Sequence, residues 1–154
     1  EGGRVTRFAT FMTGEAFALL AERSVLRHSV ASAGDAREAF LGAVVEMLDR
    51  PQRLTAALFG IRAAHLLGGA GAVAARSRLS GLLLGAELAA TRDWWTGRTV
   101  HLVGAPSLAA AYAAALAAAG ARTAVEDAET LTLAGLAIAR AGTPPDAGRD
   151  GSNV

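Results

Sequence analysis

At 154 residues the chain has the size of one ordinary domain, and with 52% of its residues hydrophobic it can fill a core of that size. A charged fraction of 19% and a formal net charge of +1 leave no block of like charge for a nucleic acid or a membrane surface. The absence of cysteine excludes a disulfide framework, a thiolate nucleophile and a thiolate zinc site, and it is compatible with a cytoplasmic location. The chain begins at Glu1, and its first residues lack the basic-then-apolar order of a signal peptide, so a segment of a longer polypeptide is expected.

Residues 4–12 (RVTRFATFM) follow a Gly2-Gly3 turn, are rich in β-branched and aromatic side chains, and predict a strand. Thr13 stands as an N-cap before Gly14-Glu15, with Phe17 and Leu20 at helical spacing, so a helix is expected to about Arg23. The polar interval 24–34 reads as a loop. Asp35 then caps a helix in which Phe40, Leu41, Val44, Val45 and Leu48 form one apolar stripe. Pro51 suits the first turn of a further helix, which carries Leu54, Leu58 and Ile61 and breaks at Gly68-Gly69. The next helix is expected from Ala72 to about Asp93, with Leu79, Leu82, Leu83 and Ala86 on one face. Gly81 and Gly85 share a face and would admit a close neighbour.

From Thr96 onward the pattern alternates: a strand over 99–103, a helix over 107–119, a strand over 122–125 and a helix from 128 to about 140. Such alternation implies a parallel sheet. Gly120 is placed to end the first of these helices. Residues 142–154 have no apolar periodicity and predict a disordered tail. The charge-free stretch 102–121 approaches the roughly 20 residues of a membrane span. It is mostly alanine and is broken by Gly104-Ala105-Pro106-Ser107, so no membrane association is expected.

Residues able to carry chemistry are few. The chain has neither the G-x-x-x-x-G-K-[ST] loop nor a G-x-G-x-x-G turn after a strand, which excludes a self-contained P-loop enzyme. Gly68-Gly69-Ala70-Gly71 follows a helix rather than a strand and reads as a helix-to-helix turn. His28, His65 and His101 are scattered and include no H-x-x-x-H pair, so no metal site is assigned. Ser107 lacks a hydrolase elbow. Asp93-Trp94-Trp95 could offer a sugar platform but more commonly closes a helix end against the core. The most informative feature is the turn from His101 to Leu108 (HLVGAPSL). Small residues at the carboxyl end of a parallel strand let a ligand touch the backbone, and the following helix offers unpaired N–H groups, although the same turn can serve only packing.

In order and content these pieces resemble the 2-keto-3-deoxygalactonokinase family of the sugar kinase and actin-like ATPase superfamily, from Arg4 to about Ala141. The specific blocks are FATFMTGE at 8–15, SGLLLGAE at 80–87, Arg92-Asp93, and LVGAPSL at 102–108 leading into Tyr112. The resemblance implies an α/β fold: the C-terminal lobe of an actin-like ATPase (ribonuclease H-like) with a helical insertion over about 24–70 and an incomplete sheet. Residues 4–12 would be its third strand, exposed as an open edge, with 99–103 and 122–125 the fourth and fifth.

It implies further that Gly104, Ala105 and Ser107 lie against the adenine or ribose of ATP. Ala105 departs from the Gly-Gly of many relatives, and Arg62 marks a basic position in the insertion. The parent would transfer the ATP γ-phosphate to 2-keto-3-deoxygalactonate in galactonate breakdown. The Mg2+ ligands, phosphate cradle and acceptor base are expected in a missing N-terminal lobe, so no catalytic residue is assigned and the chain alone is expected to be inactive. Alternatives are another sugar kinase or ATPase of the superfamily, or a non-catalytic α/β interaction module.

Overall fold

The computed structural model describes residues 5–69 and 71–142; helices come first and a small sheet last. The elements are α1 (Thr13–Arg23), a 3-10 turn at Val25–His28, α2 (Arg37–Asp49), a second 3-10 turn at Pro51–Arg53, α3 (Leu54–Leu66), α4 (Ala72–Ala90) and α5 (Arg92–Trp95). There follow β1 (Thr99–Val103), α6 (Pro106–Ala118), β2 (Arg122–Glu126) and α7 (Ala128–Gly142).

The central element is α4, and the reason is its glycines. A Cβ on Gly85 would stand 2.8 Å from the Val44 carbonyl oxygen and 2.9 Å from Met47 Cβ, and one on Gly81 would fall onto the Phe40 carbonyl oxygen. Only bare backbone lets α2 lie this close. The approach buries Ala43, Val44, Met47, Leu79 and Leu82 completely. Full burial of a side chain the size of Leu or Met stabilises the fold by about 1.5–3 kcal/mol. On one flank of α4, Ala21, Leu26 and Ile61 complete a core with α1 and α3; on the other, Phe40, Leu84, Leu88, Trp95 and Leu116 form a second with α6. Polar clasps fix the register of α2: Arg78 pairs with Glu46 at 2.6 Å, and the Arg92 guanidinium donates to the Leu48 carbonyl.

The apolar stripe expected on α2 is rotated from its prediction. Phe40 and Val44 are buried, but Ala43 and Met47 complete the face while Val45 is 51% exposed, because the glycine ridge of α4 selects the side that can come closest. The helix from Ala72 stops at Ala90 rather than Asp93, where the Thr91 hydroxyl donates to the Glu87 carbonyl at 3.0 Å and the chain turns into α5. Asp35 is not the cap of α2; the N-cap is Ala36, whose N–H donates to Ser77 Oγ at 3.0 Å. The interval read as a loop contains the turn Val25–His28, capped by Ser24 Oγ.

Within the sheet, β1 and β2 run parallel with Thr99 opposite Arg122 and Val103 opposite Glu126, joined through α6. At the end of α6 the Gly120 N–H donates to Ala117 and the Ala121 N–H to Leu116, with Gly120 at φ 77°. This pair of hydrogen bonds is the glycine-dependent helix stop that the sequence predicts. Gly68 repeats it after α3, at φ 72°, with Gly69 bonded to Ala64, so the glycine-rich run is a helix-to-helix turn.

The strand predicted over residues 4–12 is not formed: Arg4 lies outside the described residues and 5–12 carry no regular structure. β propensity becomes a strand only where a neighbour completes the ladder, and among the described residues the sheet contains β1 and β2 alone. The segment runs instead beside α5. Arg7 pairs with Asp93 at 3.2 Å and covers the Trp94 ring at 4.7 Å, while Phe8 is left 84% exposed. The tail predicted over 142–154 lies, apart from Gly142, outside the described residues. Among those described, no helix is long and apolar enough to cross a membrane.

Candidate functional site

The turn after β1 is open. Gly104, Ala105, Pro106 and Ser107 are all exposed, and a Cβ placed on Gly104 would meet nothing within 4 Å. Ala105 is the N-cap of α6 and provides no side-chain cap, while Pro106 at the first helical position lacks an N–H. The first intrahelical bond runs from the Ala109 N–H to the Ala105 carbonyl at 2.9 Å, so the amides of Ser107 and Leu108 stand outside the helical ladder. A backbone of this kind can be approached closely and favours a partially negative or hydrogen-bond-accepting group.

Beside the turn lies a groove between α1, α4 and α6. It consists of two adjoining cavities of about 420 and 440 Å3 that share Phe17, Ser80, Ser107 and Ala111. One extends to Arg37 and Arg76, the other to Leu83 and Tyr112. Together they lie in the size range of a small-molecule site. Of the three residues singled out at the turn, Ser107 lines both cavities, whereas Gly104 and Ala105 belong to neither lining.

A polar knot closes the end of the groove nearest Tyr112. The Tyr112 hydroxyl donates to the Glu87 carboxylate, 2.9 Å from each oxygen, and the Thr13 hydroxyl donates to the same carboxylate. Burial, then the hydrogen bond to Glu87 and its negative charge, push the Tyr112 hydroxyl well above the usual tyrosine range, so it stays a donor. Three separate stretches, the start of α1, the end of α4 and the middle of α6, are thereby tied at one carboxylate. Thr13 is consequently not the N-cap expected of it; Met12 occupies that position.

Other candidates separate. His28, His65 and His101 are all exposed on different elements, His101 bonding Glu126 at 2.7 Å. Trp95 is buried, with its indole N–H on the Leu88 carbonyl at 3.0 Å, so the tryptophan pair closes a helix end. Arg62, half-buried on α3, has no ion-pair partner among the described residues and lines none of the cavities above. Among those residues no group of three or more His, Asp or Glu side chains could hold a metal ion.

Residues 1–139 match the family described as 2-keto-3-deoxy-galactonokinase. The chain belongs to the 2-keto-3-deoxy-galactonokinase family. Relatives in that family include the probable 2-dehydro-3-deoxygalactonokinase DgoK1 of Rhizobium meliloti (strain 1021), 41% identical over 142 residues, or 88% of this chain and 46% of the relative. The 2-dehydro-3-deoxygalactonokinase of Escherichia coli (strain K12) is 34% identical over 121 residues, covering 78% of this chain and 41% of the enzyme. A crystal structure of a Sinorhizobium meliloti protein assigned as a 2-dehydro-3-deoxygalactonokinase superposes with a TM-score of 0.79 at 37% identity, over 97% of this chain and 50% of that one. The chain thus spans about half the length of the curated 2-dehydro-3-deoxygalactonokinases it matches, and its fold corresponds to half of the Sinorhizobium meliloti structure.

Thr13, Glu87 and Tyr112 stand in three separate blocks of the family resemblance, which also include Ser80 but not Phe17, Arg37 or Arg76. A signal for the knot was present: Glu87 is the sole charged residue between Leu79 and Thr91. A lone carboxylate on a largely buried helix requires donors from elsewhere.

Proposed function

We propose that this chain contributes the nucleoside-binding lobe of a kinase that transfers the ATP γ-phosphate to a hydroxyl of 2-keto-3-deoxygalactonate, with Gly104, Ala105 and Ser107 against the adenine or ribose. The lobe comprises residues 1–141, with a helical insertion over about 24–70. The observation that carries this reading is the open turn at the start of α6 beside a groove of ligand size, with Ser107 common to both. Phosphoryl transfer rests mainly on positioning and on charge placed around the transferred group. This chain's part in it is to bind and orient the nucleoside, while magnesium would neutralise phosphate charge from ligands elsewhere in the full-length kinase.

The exposed apolar residues Val103, Val125, Leu133, Leu136 and Ile138 support a partner surface, and we assign it to the rest of that kinase. The test is titration of the chain with adenosine and with ATP, monitored by amide NMR. Weak binding centred on 104–112 is expected, abolished by Ser107→Tyr, together with no turnover of 2-keto-3-deoxygalactonate by the chain alone. Binding unaffected by Ser107→Tyr would overturn the assignment of the turn, and turnover by the chain alone would overturn the division of labour.

A further inference from the structure

The end of the groove away from Tyr112 is built differently from the rest. Arg37 and Arg76 both line it, and among the described residues neither has a carboxylate within 4.0 Å. Arg76 is half-buried on α4 with its guanidinium 4.9 Å above the Phe17 ring, and among the described residues it donates a long hydrogen bond of 3.4 Å to the Val30 carbonyl. Two residues further on, Arg78 shows what structural use of such a side chain looks like, with Glu46 at 2.6 Å.

Arg37 is the first residue of α2, where a positive charge faces the positive end of the helix dipole and is disfavoured. Arg37 thus does not stand where stability alone would put it, and Arg76 has its charge unanswered by any carboxylate among the described residues; departures of this kind mark sites kept for binding. Asp35 lines the same cavity and pairs with neither arginine, so these three side chains carry a net +1, two positive charges against one negative.

We infer that Arg37 and Arg76 form an anion subsite of the groove, taking a carboxylate or a phosphate of a small molecule whose remainder reaches toward Ser107. A guanidinium carried over an aromatic ring keeps N–H donors free, in the fork that matches two oxygens of either group. Ser77 and Ser80, in the same lining, offer hydroxyls to the remaining oxygens. The inference builds on the nucleoside reading only in sharing Ser107; the anion chemistry belongs to the arginines.

The experiment titrates the 154-residue chain with inorganic phosphate, AMP, galactonate and uncharged adenosine, and repeats this with Arg37→Gln, Arg76→Gln and the double variant. Circular dichroism verifies that each variant is folded, and glutamine keeps most of the side-chain stem. Loss of about tenfold in affinity for phosphate and AMP, or for galactonate, is expected per arginine, the effect of one charge-assisted hydrogen bond. Selective loss for phosphate and AMP identifies a phosphate ligand, and selective loss for galactonate a carboxylate. Adenosine binding should not change. If adenosine never binds while phosphate binding still depends on the arginines, the nucleoside reading falls and the subsite stands. Anion affinity equal in the parent and double-variant chains, or no anion binding to the parent chain at millimolar concentration, would refute the subsite.

Discussion

Replacing Gly85 with alanine sets two opposed effects against each other. Alanine is favoured over glycine within a helix by about 1 kcal/mol. The added methyl, however, would lie 2.8 Å from the Val44 carbonyl oxygen and 2.9 Å from both Val44 Cα and Met47 Cβ. Ordinary contact begins at 3.4 Å, so the shortfall is 3.4 − 2.8 = 0.6 Å, and two of the three neighbours are backbone atoms that cannot swing aside. The helices α2 and α4 must separate by about that amount along a seam that includes Val44, Met47 and Leu84. A gap of 0.5–1 Å forfeits roughly a quarter to a half of each dispersion contact, and overpacking of this kind costs about 1–3 kcal/mol, more where backbone must move. The net expectation is destabilisation by up to about 2 kcal/mol, or a Tm lower by up to about 8 °C for a chain of this size. Gly81→Ala should cost more, since its methyl falls directly onto the Phe40 carbonyl oxygen. Gly42, on the exposed side of α2 with nothing within 4 Å, supplies the opposite sign: alanine there should stabilise by about 0.5–1 kcal/mol. Urea and thermal unfolding followed by circular dichroism decide the matter. If Gly85→Ala is as stable as Gly42→Ala, the two helices are not in the contact described and the reasoning fails.

Two further expectations concern titrating groups. Tyr112 is the sole tyrosine, so its ultraviolet ionisation curve can be read directly and should lie above the usual value of about 10. The raised value means that its contribution to stability is complete below about pH 10 and is lost as pH rises through the folded value. Glu87→Gln should move the curve part of the way back, since burial, the largest cause, remains; an unchanged curve would show that the two side chains do not meet in solution. Asp127 caps α7 by accepting from the Thr130 N–H at 2.7 Å, and that bond holds its carboxyl below the ordinary range. Its support is present above about pH 4 and lost as pH falls through the folded value, so the Thr130 amide resonance should shift in acid. Asp127→Asn, which can still cap, should abolish that pH dependence, and an identical acid shift in the variant would contradict the assignment.

Much of the local structure was decided by residue chemistry alone. Gly120 and Gly68 end helices because their positive φ is open to glycine and costly for other residues, and the alternation after Thr96 could satisfy its backbone only as parallel strands joined by a helix. Gly81 and Gly85 on one face announced a close neighbour, though not which one. The partner, α2, and the side of α2 that is buried were set by tertiary packing. Val45 is as apolar as Val44, and only the shape of the glycine ridge distinguishes them.

Residues 5–12 show the converse limit. Their β propensity is genuine, but a strand is a property of a pair, and the described sheet offers them no partner. The groove lay further beyond a linear reading. Ser107 could be singled out from its turn, whereas Phe17, Arg37 and Arg76 come from three other stretches of chain and meet it only because α1, α2 and α4 pack around the start of α6. The same holds for Thr13, Glu87 and Tyr112. Each is unremarkable in its own segment, and what joins them is one half-buried carboxylate whose charge must be answered by donors from distant parts of the sequence.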